Sequence, residues 1–530
     1  MTDVKVHGLP GAGKTTFGID KIREMFPPAD EILAETFRRR LSNELIEKLG
    51  KNYINPPWVT TTHGIAKRTA ASDADVIDDP GDYIRFCKDY GVDYYLEDGE
   101  QTGEVPNSLG KQLFSTRHYL VHNMMDYSEA LRTPTASNSD KGYLIENEIE
   151  NFCKSWDEWK RKNNKMDFED MLTVTLEDGA SPQVEIYFSD EFQDKTPLMY
   201  ALFEEWKKDA DTVIIAGDPF QTIYDFWGST PDFFREESAD ETRVLEKSWR
   251  LSEDVWEYAT GILHDGGYDD IPMIETTEPG HVHELRPDGF ADTLKDKMFD
   301  ETFVLCRANY QTKKIIKLLE REGIPFYSVR GQYWSDKLIN VYNAVSKIRE
   351  WERPEFGKGV GWKGPSLSSE ELDALTRFFK KKDSLIVKRK KLQERDKPLR
   401  SEEGHKVFKN RFLKILKGKR IIRDESTTYK NVTSRQCARL INALQRYPLP
   451  FIDDLKVFVG TIHSAKGREA KNVFLFDNVT NMINENLRKN IDVEQEARVF
   501  FVGATRTRGN LFVIHDYFDT YTYGLPRVNT

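Results

Sequence analysis

Short apolar runs recur along the chain and alternate with longer segments in which apolar residues return every three or four positions. The runs are rich in Val, Ile and Phe. Runs of this length predict buried β-strands, and their alternation with helical segments predicts parallel sheets covered by helices. The predicted strands are residues 4–6, 32–34, 58–64, 184–189, 212–216, 303–306, 457–460, 473–476 and 511–514.

Two stretches interrupt this alternation. One is more polar and contains helical patterns such as that of residues 146–160, and the other is rich in Pro, Gly and basic residues. We therefore predict an α/β fold with two parallel-sheet domains, each carrying an inserted, mainly helical subdomain. The predicted boundaries are 1–82 with 165–252 for the first domain, 83–164 for its insertion, 253–352 with 441–530 for the second domain, and 353–440 for a short, basic insertion.

Composition narrows the class of protein. The 530 residues suffice for several domains, and no apolar run approaches the roughly 20 residues of a membrane-spanning helix. The N-terminus lacks a basic region followed by an apolar core, so we expect no signal peptide. The four cysteines are too widely spaced for a disulfide framework or a zinc motif. We expect an intracellular, cytoplasmic protein with no membrane partner.

Charge is distributed unevenly along the chain. The net charge is −11, but residues 380–423 contain 18 Lys and Arg against 5 Asp and Glu. Such an asymmetry indicates a region that binds a polyanion, and a solvated basic helix is an equally good interpretation of the stretch by itself.

The segment GLPGAGKTT at residues 8–16 has the spacing of a P-loop. A predicted strand precedes it and a predicted helix follows, which is the arrangement that directs backbone N–H groups and a helix N-terminus at phosphate oxygens. Lys14 would then contact the β- and γ-phosphates, and the Thr15 hydroxyl would bind Mg²⁺. The alternative is a glycine-rich turn that matches by chance.

Asp190 and Glu191 directly follow the predicted strand at 184–189. A nucleotide hydrolase needs two acids at such a strand end, one to hold Mg²⁺ and one to polarise the attacking water. Acidic pairs at strand ends are also common on protein surfaces. The P-loop upstream in the same predicted sheet favours the hydrolase.

The string SDEFQD at residues 189–194 resembles the acidic box of UvrD/Rep-like superfamily 1A DNA helicases. Other strings resemble further motifs of that family in the same order along the chain. The resemblance implies two RecA-like domains of the P-loop NTPase class. The other matching strings are 32–43 (motif Ia), 61–64 (motif Ib), 167–172 (the segment before the acidic box), 217–229 (motif III), 245–250 (motif IV), 460–470 (motif V) and 502–508 (motif VI).

The resemblance also implies roles for individual residues at an ATP and Mg²⁺ site. Glu191 would activate water, Gln221 would sense the γ-phosphate, and Trp249 would stack on adenine where the family usually has Tyr. The implied catalytic residues are Lys14, Glu191, Gln221, Arg250 and Arg506, the last two as arginine fingers. The implied nucleotide contacts are Gly8, Gly11, Ala12, Gly13, Lys14, Thr15, Thr16, Trp249, Gly467 and Glu469, and the implied Mg²⁺ ligands are Thr15 and Asp190.

Aromatic rings and polar side chains in the matching strings imply a surface for single-stranded DNA. Bases stack on exposed rings, and polar groups contact the phosphates. A lone aromatic residue is more often part of a core, but the row YDFW at residues 224–227 follows a strand in a turn, which predicts at least one exposed ring. The implied DNA contacts are Thr36, Phe37, Thr61, His63, Tyr224, Phe226, Trp227 and His463.

Taken together, the resemblance of these strings implies an ATP-dependent helicase that moves 3′ to 5′ on single-stranded DNA and unwinds duplex DNA. The strings do not distinguish a role in repair from one in replication or in mobile-element biology. Two departures from the family keep alternatives open. Only seven residues precede Gly8, so the helix whose glutamine reads adenine is not expected, and 353–440 is short for the family. The alternatives are a translocase with little unwinding and a nucleotide-gated DNA-binding module.

Overall fold

The computed structural model describes residues 2–37, 39–51, 53, 56–70, 73–95, 108–329, 331–332, 340, 343, 446–447 and 454–528. The chain forms two compact units. The first comprises Met1–Phe290, Leu305–Thr312 and Thr461–Thr530, and the second comprises Ala291–Val304 and Lys313–Gly460. The predicted insertion 353–440, with its basic stretch 380–423, lies outside the described residues.

A six-stranded parallel sheet forms the centre of the first unit. Its spatial order is β3-β2-β4-β5-β1-β6, and every neighbouring pair is parallel. The carboxyl ends of all six strands therefore lie at one edge, where an α/β sheet binds its ligands. The strands are β1 (Thr2–Gly8), β2 (Ile32–Thr36), β3 (Trp58–Thr61), β4 (Val184–Ser189), β5 (Ala210–Gly217) and β6 (Glu241–Leu245).

Strand β4 illustrates why the sequence shows continuous apolar runs. All of its residues except Glu185 are buried. Ile186 and Phe188 belong to the core on one face of the sheet, and Tyr187 belongs to the core on the other face together with Trp206. Because helices cover both faces, a central strand has no solvent-facing side and therefore no polar positions in alternation.

Further parallel strands confirm the predicted α/β class with two parallel sheets. In the first unit, Val282–Leu285, Thr507–Ile514 and Ala470–Phe476 pair in that order and in parallel. In the second unit, Tyr327–Ser328 pairs in parallel with Val457–Thr461. The remaining strands are Gly331–Gln332, Thr302–Cys306, Lys247–Ser248, Glu275–Thr276, Asp75–Val76 and Lys165–Met166.

The predicted first insertion is helical in its described part. Its core is aromatic, and the rings of Phe86 and Trp156 lie 4.8 Å apart between centroids at 61°. Phe152 packs against the same Phe86 ring at 5.2 Å. The helices of this region are Pro80–Tyr90, Leu109–His122, Pro134–Ser137 and Gly142–Lys162, with a 3-10 turn at Tyr127–Arg132.

The other helices cover the two sheets. Within the described ranges, no helix has both the length and the apolar character needed to cross a bilayer. The α-helices are α1 (Lys14–Met25), Arg39–Leu49, Thr62–Thr69, Phe168–Glu177, Pro197–Trp206, Asp232–Glu236, Glu253–Asp265, Phe290–Lys297, Asn309–Glu322, Ile462–Ala465, Asn481–Arg488 and Val493–Ala504. The 3-10 turns are Ala29–Glu31, Phe192–Asp194, Lys207–Asp209, Pro219–Gln221, Asp225–Trp227 and Pro287–Gly289.

Two sequence predictions of local structure differ from the fold. Residues 58–64 are predicted as a strand that ends in a polar turn. The strand ends at Thr61, but a helix begins at Thr62 in place of the turn, because the Thr61 hydroxyl accepts a hydrogen bond from Gly64 N at 3.2 Å. Strand β6 was not predicted. It is an edge strand whose residues are half-buried or exposed, so it lacks the apolar run by which the other strands were identified.

Candidate active site

The loop between β1 and α1 has the geometry of a phosphate cradle. Gly11 and Gly13 have φ angles of +76° and +87°, which residues with a side chain rarely adopt. A Cβ atom on Gly11 would also lie 2.4 Å from the Cβ of Arg250. The Lys14 side chain is buried, and its Nζ donates to the carbonyl oxygen of Gly8 at 2.5 Å. The lysine therefore lies folded back over the loop at the N-terminus of α1.

The two acids after β4 lie beside this loop. Thr15 Oγ1 donates to Asp190 Oδ2 at 2.7 Å, and the backbone N–H of Glu191 donates to Asp190 Oδ1 at 3.1 Å. Glu191 has a φ of +56°, so the chain turns sharply directly after the strand. The two carboxylates and the Thr15 hydroxyl thus face the same space at the carboxyl edge of the sheet.

The environments of the two acids separate their proton affinities. Burial, and then the neighbouring charge of Glu191, raise the pKa of Asp190 to about 6. Burial also acts to raise the pKa of Glu191, but the charges of Lys466 and Lys14 hold it below its ordinary value. Glu191 is therefore ionised at neutral pH and able to accept a proton. Two neighbouring titratable groups whose pKa values are shifted in opposite directions are typical of an acid–base site.

The donor set beside the loop fits a hard divalent cation. The Thr15 hydroxyl and the Asp190 carboxylate are oxygen ligands, which Mg²⁺ prefers, and phosphates of a nucleotide would complete its shell. The raised pKa of Asp190 points the same way, because a cation would offset the repulsion between the two buried carboxylates.

A continuous chain of hydrogen bonds leads from Glu191 to Arg506. Gln193 Nε2 donates to Glu191 Oε2 at 2.5 Å, and the backbone N–H of Asp218 donates to Gln193 Oε1 at 3.0 Å. Gln221 Nε2 donates to Asp218 Oδ2 at 2.6 Å, and Arg506 Nη2 donates to Gln221 Oε1 at 2.8 Å. The sequence assigned no role to Gln193 or Asp218, although both lie in strings that match motifs of the helicase family.

Arg506 is fixed in position beside this chain. Its Nε donates to the carbonyl oxygen of Val502 at 2.9 Å, and the residue is 2% exposed. Burial, and then the nearby charge of Arg250, lower the pKa of Arg506 to about 9, so the guanidinium stays protonated at neutral pH. A buried cation of this kind favours an anionic group next to it.

The segment that follows β6 folds over the P-loop. Trp249 N donates to the carbonyl oxygen of Gly11 at 3.0 Å, and Arg250 Nε donates to Glu469 Oε2 at 2.7 Å. The Trp249 side chain is 61% exposed, with Lys247 Nζ 4.5 Å from its ring centroid. An exposed indole held at the rim of a phosphate loop is free to stack on a flat ligand.

Two further cations connect residues 461–530 to the first sheet, and the sequence assigned a role to neither. Lys466 is buried, and its Nζ donates to both carboxylate oxygens of Asp194, at 2.7 and 2.6 Å, and to the carbonyl oxygen of Gln221 at 2.5 Å. Arg498 Nη2 donates to Asp225 Oδ2 at 2.5 Å, and its Nε donates to the carbonyl oxygen of Thr222 at 2.8 Å. The signal that could have found Lys466 is its position inside the motif V string.

Four rings predicted to bind DNA form one aromatic cluster. Tyr224 lies in its centre, stacked on Phe37 at 4.8 Å and on Trp227 at 5.3 Å between centroids. Tyr224 is 2% exposed, whereas Phe37, Phe226 and Trp227 are half-buried. The rings that a base could reach in this conformation are therefore those around Tyr224 and not Tyr224 itself.

The polar residues predicted to contact DNA differ in their accessibility. Thr36 is 2% exposed and His463 is 1% exposed, with His463 Nε2 3.1 Å from the carbonyl oxygen of Ile223. The Thr61 hydroxyl caps a helix. His63 is half-buried and contacts the exposed ring of Phe168 at 5.7 Å between centroids. The DNA contacts of these four residues stay predictions.

The sequence of this chain matches known protein families. The family model for the UvrD/REP helicase N-terminal domain matches residues 2–242, and the model for the UvrD-like helicase C-terminal domain matches residues 368–516. The P-loop and acidic box fall in the first match, and Lys466, Glu469 and Arg506 fall in the second.

The individual relatives have low sequence identity to this chain, but the matches cover most of its length. The chain is 21% identical to the ATP-dependent DNA helicase PcrA of Staphylococcus epidermidis, over 62% of this chain and 49% of the relative. It is 21% identical to a probable DNA helicase II homolog of Mycoplasma capricolum, over 97% of this chain and 82% of the relative. The chain thus spans about half the length of the staphylococcal relative. The two family matches together cover most of the sequence, and this chain belongs to the UvrD/Rep-like helicase family.

Proposed function

We propose that this chain is an ATP-dependent DNA helicase that uses Mg²⁺ and moves 3′ to 5′ on single-stranded DNA. The observation that carries the proposal is the hydrogen-bond chain from Glu191 through Gln221 to Arg506. It connects a general base to a buried cation from residues 461–530, so the state of the nucleotide can change how that segment is held.

The proposed chemistry is hydrolysis of the γ-phosphate of ATP. Lys14 binds the β- and γ-phosphates, and Glu191 accepts the proton of the attacking water. Arg250 and Arg506 stabilise the charge that builds on the γ-phosphoryl oxygens. When bound by Thr15 and Asp190, Mg²⁺ would supply further neutralisation of phosphate charge.

ATP hydrolysis would be coupled to movement along DNA because ATP and its products bind the site differently. ATP adds an anionic partner for Arg506, and hydrolysis removes it, so ATP and its products favour different arrangements of the residues around Gln221. Such differential binding is what a conformational shift requires. If each arrangement binds the DNA strand through different contacts, every cycle of ATP hydrolysis would move the protein by one step along the strand. The 3′ to 5′ direction rests on the family resemblance.

We further propose the domain organisation that the sequence predicts. Residues 1–82 and 165–252 would form the first RecA-like domain, and 253–352 and 441–530 the second. The insertions would be 83–164 and 353–440, and the basic stretch 380–423 would contact duplex phosphates.

The experiment that tests the function is an ATPase assay of the purified chain with and without single-stranded DNA, followed by unwinding of a tailed duplex. We expect DNA to stimulate hydrolysis and the duplex to separate. Strong stimulation without strand separation would favour a translocase. No stimulation would contradict the proposal.

Trp249→Ala should weaken ATP binding without slowing the chemical step. Loss of a stack costs about 1–3 kcal/mol, which corresponds to a rise in KM of about 5–150-fold. Because the stack is the same in the ground state and the transition state, kcat should change little. Steady-state kinetics with ATP measures both. Trp249→Phe should stay close to wild type, and Tyr143→Ala, which removes a ring that is 78% exposed elsewhere, is the control.

Phe226→Ala should weaken binding of single-stranded DNA by a similar factor, about 5–150-fold in Kd. The ring is half-buried at the edge of the aromatic cluster, 5.2 Å from Trp227 between centroids, where a base can stack. Fluorescence anisotropy with a labelled oligonucleotide at fixed salt measures the change. Phe26→Ala removes a ring that is 69% exposed away from the cluster and should leave Kd unaltered. Equal Kd values for Phe226→Ala and wild type would contradict the stacking role.

A further inference from the structure

Three metal-ligating side chains converge at a place that the proposed function does not use. His118 and His122 lie one turn apart on helix Leu109–His122, and Glu169 lies in the first turn of helix Phe168–Glu177. One ligand atom from each residue lies within 4.8 Å of the others. His118 Nδ1 is 2.7 Å from Glu169 Oε1, and the two imidazole centroids are 4.2 Å apart. Residues four apart share one helix face, so both imidazoles can reach a single ion.

His122 carries a buried nitrogen without a hydrogen-bond partner among the described residues. The residue is 1% exposed, no described residue pairs with its Nε2, and its Nδ1 is 3.0 Å from Thr196 Oγ1. In the tautomer in which Nδ1–H donates to the Thr196 hydroxyl, Nε2 carries a lone pair. This is the way in which ligating histidines are commonly oriented, and a buried polar atom without a partner calls for an explanation.

Glu169 belongs to a network of charged side chains in which carboxylates outnumber cations. Arg117 Nη1 lies 3.2 Å from Asp167 and 3.3 Å from Glu169, and Lys160 Nζ lies 2.8 Å from Asp167 and 2.6 Å from Asp170. With Asp157, which contacts both cations, four carboxylates surround two positive charges.

We propose that His118, His122 and Glu169 form a binding site for a zinc-like divalent ion, with water as the fourth ligand. Two imidazoles and one carboxylate are a donor set of tetrahedral zinc, whereas Mg²⁺ and Ca²⁺ select all-oxygen sites. Binding replaces the His118–Glu169 hydrogen bond with metal bonds and draws the three ligands together. The ion ties the helical insertion to the first sheet's helices.

The proposed zinc site lies close to residues that are proposed to contact DNA. His118 lies 5.8 Å from Trp227 and His122 lies 6.2 Å from His63, between ring centroids. The site therefore adjoins two residues that are proposed to contact DNA, and zinc binding is independent of that proposal.

The test is titration of the chelator-treated full chain with Zn²⁺ by calorimetry, without nucleotide or DNA and with excess Mg²⁺ to occupy oxygen-ligand sites. We expect one equivalent of Zn²⁺, a higher unfolding temperature, and visible Co²⁺ bands typical of four-coordination. His118→Asn and His122→Gln should each lose more than the roughly 10–100-fold in affinity that removal of an outer-shell partner costs.

His281→Ala is the matched control, because His281 pairs with Asp254 at 2.8 Å on an exposed surface and should not affect the titration. Unfolding temperatures without zinc identify any variant that fails to fold, and Glu169→Gln then replaces it. A wild-type chain that binds no Zn²⁺, or folded His118→Asn and His122→Gln variants that keep wild-type affinity, would overturn the proposal.

Discussion

Arg506→Ala should lower kcat for ATP hydrolysis by about 10³–10⁵-fold, the range that an arginine finger contributes to phosphoryl transfer. The buried guanidinium is held by Val502 and Gln221, so its position is fixed before the charge of the transition state develops. Pre-orientation of this kind costs no reorganisation during the reaction. Steady-state and single-turnover ATPase assays with saturating DNA measure the effect.

Two further variants separate catalysis from folding. Arg506→Lys keeps the charge but loses the planar fork that Arg506 uses to contact Val502 and Gln221 together, so most of the loss should persist. Arg488→Ala, which removes an exposed arginine whose guanidinium lies 5.7 Å from the Tyr521 ring centroid, should hydrolyse ATP normally. A folded Arg506→Ala enzyme with kcat within a few-fold of wild type would exclude the finger role.

Glu191→Gln should lower kcat by about 10²–10⁴-fold while leaving ATP binding intact, because glutamine keeps the shape of glutamate but cannot accept a proton from water. The lowered pKa of Glu191 means that the base is already ionised at neutral pH. Gln193 Nε2, which donates to Glu191 Oε2, can still donate to the new amide oxygen. Nucleotide binding by fluorescence and turnover by phosphate release distinguish the two effects.

Glu185→Gln is the control for this change. Glu185 lies on the same strand β4 but is half-buried away from the strand's carboxyl end, so turnover should not change. Combining Glu191→Gln with Arg506→Ala should lower kcat less than the two single effects together, because both residues are proposed to act in one transition state. Full additivity would indicate that they act on different steps.

The local patterns of the chain were sufficient for much of this site. Continuous apolar runs identified β2, β4 and β5, because strands covered on both faces lack alternating polar positions. The glycine spacing identified the loop before Lys14, since positive φ at Gly11 and Gly13 is a local requirement. The acids 190 and 191 were identified because they directly follow an apolar run that ends at the ligand-binding edge.

Local sequence patterns did not predict which side chains of the site are exposed to solvent. Tyr224 and Phe226 are two residues apart in the same row, yet packing of Phe37 and Trp227 buries the first ring and leaves the second at the edge. His463 resembles His63 in sequence, but it is 1% exposed whereas His63 is half-buried. Which ring or imidazole faces solvent depends on neighbours that are distant in the chain.

The sequence by itself determined the fold class, the glycine loop before Lys14, the position of the acidic pair and the family, because each depends on residue types at short, fixed spacing. Only the tertiary structure brought Arg506 to Gln221, Lys466 to Asp194, and His118 and His122 to Glu169. Each of these contacts joins residues from separate elements, and its geometry is set by how sheets and helices pack. No pattern along the chain shows that these residues lie close together in the fold.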